Sequence, residues 1–327
     1  MKPLQFLCLP LLALHLHAAD TNALTLVKTI PLPNVTGRLD HFAIDLKGQR
    51  LFMSGLSNNT VEIFDLAAGK RIHTITGCSK PQGLAFLPAQ NHLVIANGIS
   101  GEVQIVDGST LQAIKVFAGL PNSDNVRYDA KSDLIYVGYG SGALGVINAT
   151  NGKWLRNLEL AGHPESFQLE KNGNRIFVNV PDAGHIAVVD RLLNTVVATW
   201  PMDQFHANYP MALDEANHRL LVGCRQPARL VVIDTTTGKR VTDIEISGDT
   251  DDLFYDASRK QIFVSCGAGF IDVIDQVGAD SYHLRERIPT VSGARTSYLS
   301  PDRGEFYLGV RDFPTPGQAE LRVYQLN

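Results

Sequence analysis

The sequence of 327 residues has four cysteines, a net charge of only −4, and no apolar run beyond its N-terminal segment long enough to cross a bilayer. Each shortage excludes something. A near-neutral balance argues against nucleic acid or an anionic membrane surface as partner. A helical span needs about 20 apolar residues, and no internal segment supplies them. No two cysteines have C-x-x-C spacing, so a thiolate zinc site is not indicated. A chain of this length can bury roughly three quarters of its unfolded surface, so its core needs neither metal nor disulfide staple. Sustained helical periodicity is missing throughout. Also missing are G-x-S-x-G, a P-loop and H-E-x-x-H, which removes the common hydrolase, NTPase and zincin routes. The stretch GSGALG, Gly140 to Gly145, fits G-x-G-x-x-G on paper but runs into the alternating segment LGVIN instead of opening a helix, so it reads as a turn.

What is present begins with an address. Lys2, an apolar run from Leu4 to Leu16 and the small residues Ala18 and Ala19 have the order of a secretory signal peptide. Residues 1–19 are therefore expected to be removed, leaving one domain over 20–327 in the periplasm or outside the cell. Cleavage takes Cys8 and leaves Cys78, Cys224 and Cys266, an odd number in an oxidising compartment. Buried small hydrophobes are the plainest reading of those three.

The organising feature is an internal repeat. The segments VEIFD, VQIVD, LGVIN, IAVVD, LVVID and IDVID end at Asp65, Asp107, Asn148, Asp190, Asp234 and Asp275, spaced 41 to 44 residues apart, and a seventh copy, LRVYQ, ends at Gln325. Each unit carries four period-two segments bounded by Gly, Asn, Asp and Pro clusters, the signature of four short strands. Four strands in some 42 residues make one blade of a β-propeller. The last unit has only three strands, while the N-terminal LTLVKTIPLP, Leu24 to Pro33, stands alone and resembles the fourth strands elsewhere. The expected fold is thus all-β, a seven-bladed propeller of four-stranded blades whose N-terminal strand closes the last blade and removes a free sheet edge.

The stretches LIYVGYG, LLVGCRQPARLVVIDTTTGKRV and IFVSCGAGFIDVID resemble the YVTN/YncE-like seven-bladed propeller repeats of bacterial extracytoplasmic proteins, over the whole chain beyond the leader. That resemblance implies fold much more than function. Such families include binding modules, surface-layer components, lactonases and dehydrogenase subunits, and no enzyme signature of theirs is matched here.

Functional residues on a repeat show as departures from it. Aligned on their second strands, the units place Asp40, Gln82, Asp124, Glu165, Tyr209, Asp251 and Arg295 in one column, followed by His41, Gly83, Asn125, Ser166, Pro210, Asp252 and Thr296. In a propeller the start of the innermost strand faces one mouth of the central channel, so this column becomes a ring. Arg38 precedes it in the first unit, and His163 and His206 lie just upstream in two others. Loops between second and third strands add Tyr139, Asn179, Asp182, Arg225 and Arg311 to the same face. A plain alternative is that these acids cap Asx-turns before their strands.

Two functional classes stay open. In the first, a monomeric binding protein uses this face for a small polar or anionic ligand or a protein partner. Arg225, Arg295 and Arg311 would then grip carboxylates, and the acids would take hydroxyls or a cation. In the second, a metal-assisted lactone hydrolase, lyase or isomerase holds Ca²⁺ or Mg²⁺ on Asp40, Asp124, Glu165 and Asp251, with His163 or His206 as general base.

Overall fold

The period-two segments become 28 strands arranged as seven four-stranded antiparallel sheets. The structure, a computed structural model, describes residues 22–312 and 318–327; the expected signal peptide and Cys8 lie outside the described residues. The first blade runs Phe42–Asp45, Arg50–Gly55, Thr60–Asp65 and Lys70–Ile75 from its inner to its outer strand. Five more follow the same order, with inner strands Pro81–Leu87, Val126–Asp129, Phe167–Leu169, His206–Asp214 and Thr250–Asp256. The seventh contributes Thr296–Ser300, Glu305–Val310 and Glu320–Leu326, and takes Leu24–Pro31 as its outer strand.

That last pairing closes the ring. Leu24 lies opposite Leu326 and Pro31 opposite Glu320, antiparallel as the sequence predicts. The strand ends at Pro31 rather than Pro33, but the Leu32 amide still donates to the Ala319 carbonyl at 2.8 Å, and the Leu32 side chain is fully buried.

The repeated Asp at the end of each third strand is turn chemistry. Asp65 accepts the amide of Ala68, Asp107 those of Ser109 and Thr110, Asp190 those of Leu192 and Leu193, and Asp234 those of Thr236 and Thr237. A second acidic column does the same at the far end of the inner strands. Asp45, Asp129, Glu170, Asp214 and Asp256 each accept a turn amide, and Asp45, Glu170 and Asp256 also pair with Arg50, Arg175 and Arg259.

Packing follows from the radial arrangement. Seven apolar clusters fill the described residues, one between each pair of neighbouring blades. The cluster at the seam joins Phe42, Leu51 and Met53 of the first blade to Tyr307, Leu321 and Val323 of the last, with Ile30 and Leu32 of the closing strand. No helix among the described residues is long and apolar enough to cross a membrane.

Two predictions follow from this architecture. Deleting residues 22–31 strips an outer strand and part of the seam cluster, so the protein should lose several kcal/mol and gain an exposed edge along Glu320–Leu326. An unchanged melting temperature with retained monomer in size-exclusion chromatography would contradict the closure. The thiols of Cys78, Cys224 and Cys266 are free and buried, and burial pushes Cys78 up to about 11 and Cys224 up to about 12. A thiol reagent at neutral pH should leave all three untouched in the native protein and titrate all three after unreduced denaturation.

Candidate functional site

The inner strands are prolonged by backbone pairing as they leave the channel. The amides of Asp40, Asp124 and Glu165 donate to the carbonyls of Ser54, Gly138 and Asn179, at 2.8, 2.9 and 3.0 Å. Gly83 separately lets the neighbouring blade come close, since a Cβ there would stand 2.0 Å from the Asp124 carbonyl oxygen. Among the described residues no backbone amide donates to the carboxylates of Asp40, Asp124 or Glu165. They are not the Asx-turn caps that the same residue types form at the opposite end of the strands.

All seven column residues, Asp40, Gln82, Asp124, Glu165, Tyr209, Asp251 and Arg295, line one cavity of about 280 Å³. Every blade contributes, so the cavity sits on the ring axis at one mouth of the channel. Arg38, His41, Asn125, Asp252, Arg225 and His163 line it too, and Leu56 is the only aliphatic side chain in its wall. Sequence reasoning missed Lys80 and Asn122, which lie two residues before the column. Their position is conformationally distinctive: Lys80, Asn122, Ala207, Asp249 and Gly293 occupy the same place in five blades, and all have left-handed φ between 51° and 83°. The signal was the constant offset from the column.

The mouth has two unlike halves. In blades five to seven the charges neutralise one another. Asp251 lies between Arg225 at 2.5 Å and Arg295 at 2.9 Å, and Arg295 also reaches Asp249 at 2.6 Å. Arg225 stacks 4.3 Å above the Tyr209 ring and donates to the Thr250 carbonyl. Two of the three arginines expected to grip a ligand's carboxylate are thus engaged by the protein's own acids.

Blades one to four are far less paired. His41 projects into the channel with Nε2 3.7 Å from Asp40 and 3.5 Å from Asp124, and Nδ1 3.7 Å from Asp252. Arg38 comes no nearer than 3.8 Å to Asp40. Among the described residues, the Glu165 carboxylate and the Lys80 ammonium have no hydrogen bond or ion pair. Gln82 Oε1 and Asn125 Oδ1 are buried without a partner, on side chains only 4% and 2% exposed.

This crowding moves proton affinities. Burial, with Asp124 and Asp251 nearby, pushes Glu165 up to about 8. Burial also raises Asp40 to about 7, against the opposing charge of His41. Burial alone would lower His41, but the charge of Asp40 and contacts with Asp124 and Asp252 prevail and hold it well above the usual imidazole range.

Several expected roles do not fit this geometry. Among the described residues no three of His, Cys, Asp or Glu are grouped to hold a metal ion. Asp40, Asp124, Glu165 and Asp251 share a cavity but not a centre, because His41 stands between Asp40 and Asp124 while Asp251 turns to its arginines. His163 is at the rim with both ring nitrogens engaged: Nδ1 lies 2.7 Å from the Gly140 carbonyl, and the Asn122 amide reaches Nε2 at 3.2 Å. His206 is exposed and outside the cavity wall. Tyr139, Asp182 and Arg311 are also outside it, Arg311 packing across Gly293. Asn179 is structural, donating to the Tyr209 carbonyl and accepting from Asn208 at 2.9 Å each.

The raised groups bind protons more tightly folded than unfolded, so this cluster stabilises less as pH rises. For Asp40 and Glu165 the loss runs from about pH 4 through their folded values, and for His41 it begins above about 6.5. Acids held low, such as Asp107 under the amides of Thr110 and Ser109, act oppositely as pH falls through the carboxylate range. The melting temperature should therefore peak near pH 4–5 and fall towards pH 8, and Glu165→Gln should flatten the upper part of that slope. Coincident pH profiles for the two proteins would remove Glu165 from the cluster's titration.

No family model matches the chain. Two Salmonella proteins, each named uncharacterized protein YncE, are similar to it: the one from Salmonella typhi is 24% identical over 258 residues, and the one from Salmonella typhimurium 23% over 257. Both alignments cover 73% of this chain and 71% of the relative. Among solved structures, a chain of the mitotic checkpoint complex superimposes with a TM-score of 0.78 at 13% identity, covering 99% of this chain and 98% of that one. A chain of Kuenenia stuttgartiensis hydrazine synthase gives 0.78 at 17% identity, covering 90% and 97%. These structural likenesses concern the fold alone. Its seven closed blades and its likeness to these two YncE proteins together support a place among YncE-like seven-bladed β-propellers.

Proposed function

We propose that this propeller is a binding protein whose channel mouth takes a small polar ligand. The observation that carries the reading is the contrast within one cavity: one half pairs its charges internally, while the other presents carboxylates, cations and buried amide oxygens with few partners. Buried polar groups without partners are costly, and a ligand that supplies them recovers that cost on binding. A cavity of about 280 Å³ suits a metabolite-sized molecule better than a folded partner. Binding is favoured over catalysis by the state of the histidines. His163 has both nitrogens occupied and His41 is held as a cation, so neither offers the free basic nitrogen that a general base needs. With residues 1–19 acting as an export signal, the ligand would be a solute of the periplasm or the cell's surroundings.

Paired substitutions test the contrast. Asp124→Asn with Glu165→Gln changes the sparsely paired half, so folding should hold while thermal shifts produced by a panel of sugars, sugar acids, lactones and amino acids disappear. Equal shifts in wild type and double variant for every compound would overturn the assignment. Asp251→Asn instead breaks the cluster that holds Arg225 and Arg295 and should cost about 1–3 kcal/mol, discounted for partial solvent access. Chemical denaturation reads that loss directly.

A further inference from the structure

We propose that the ligand is zwitterionic, a free amino acid or close analogue, with its ammonium deep against Gln82, Asp124, Asn125 and Glu165 and its carboxylate outward at Arg38 and Lys80. The inference rests on the mouth being a small-ligand site and adds which chemistry it selects. The deep groups that lack partners are all acceptors. Gln82 Oε1 and Asn125 Oδ1 are buried and unbonded, and the Glu165 carboxylate has neither hydrogen bond nor ion pair among the described residues. Asp124 has His41 at 3.5 Å and the Asn125 amide at 3.5 Å, with the charge of the buried Arg127 guanidinium acting on it from farther off. A primary ammonium supplies three donors and the positive charge that crowded carboxylates need. A hydroxyl supplies one donor and no charge.

The rim selects the other end. Arg38, whose side chain is 43% exposed, and Lys80 line the cavity from the first two blades, on the side of the unpaired acceptors. A simple cation would meet both on entry and be repelled, whereas a molecule carrying a carboxylate behind its ammonium satisfies each end in turn. Arg225 and Arg295 cannot serve the carboxylate in the same way, since Asp251 and Asp249 occupy them.

Proton traffic gives an independent readout. Glu165 faces Asp124, Asp251, Asp40 and His41, while Asp40 faces His41, Asp124, Asp251 and Arg38. An ammonium settling among them favours the ionised carboxylates, so binding near pH 7 should expel protons. A neutral polyol should expel none.

The experiment is calorimetry on the purified protein, using amino acids that give a thermal shift. For each, the hydroxy acid with hydroxyl in place of ammonium, the amine lacking the carboxylate, and glucose serve as comparators. The amino acid should bind with heats that differ between buffers of low and high ionisation enthalpy, and each truncated comparator should bind roughly tenfold weaker or worse. Glu165→Gln should weaken both the amino acid and the amine, whereas Lys80→Met should weaken the amino acid and strengthen the amine, which loses a like charge at the rim. Melting temperatures of both variants check that they fold. A hydroxy acid binding as tightly as its amino acid overturns the proposal. Binding of sugars without any amino acid overturns it while leaving the small-ligand site standing. Binding by no compound of any class would remove both.

Discussion

A propeller blade buries neither of its faces alone, so the whole molecule depends on the ring being shut. Here that rests on one antiparallel pairing between the two ends of the described chain, Leu24–Pro31 against Glu320–Leu326. The contact joins the most distant parts of the sequence, so its chain-closure entropy is recovered only when the other blades are in place. Once shut, the ring fixes the angle between neighbouring blades and brings seven inner strands to one axis.

Convergence makes the electrostatics unavoidable. Polar residues that would be solvated on a flat sheet are crowded at the axis, and the mouth meets the problem in two ways. On one side, guanidinium groups sit directly between carboxylates, with Arg225 further fixed by stacking on Tyr209. On the other, His41 serves as a looser common counterion to three acids, and proton uptake by Asp40 and Glu165 relieves the rest. The first arrangement is rigid and complete, while the second leaves acceptors available.

Much of this was legible in the sequence, for a physical reason. Period-two alternation, Asx-turn residues and a spacing near 42 residues are local signals repeated seven times, so the blade count and the closing strand could be read directly. The ring of Asp40, Gln82, Asp124, Glu165, Tyr209, Asp251 and Arg295 was legible too, because a column in a repeat alignment is a ring in space. Pairing was not legible. Whether Asp251 faces a ligand or Arg295 depends on side-chain directions across blades, which spacing does not encode. For the same reason the sequence did not tell that Arg311, His206 and Asn179 stand outside the cavity wall, or that His41 comes between the acids expected to share a cation. Lys80 was passed over because it lies before the strand, where period-two alternation no longer says which side chain faces the channel.

The left-handed backbone at the rim has an evolutionary consequence. At the rim position of five blades the chain already takes a left-handed turn, whether it carries Lys80, Asn122, Ala207, Asp249 or Gly293. Residues as unlike as these share the turn, while Arg38 and His163 at the same offset in the other two blades do without it. Lys80 and Asn122 line the cavity while Asp249 is tied to Arg225 and Arg295, so exchange changes the mouth's wall at the first two and its internal ion pairs at the third. Specificity in such a scaffold can therefore drift one rim residue at a time, with the fold conserved beneath it, which is the pattern expected where distant relatives share blades but not ligands.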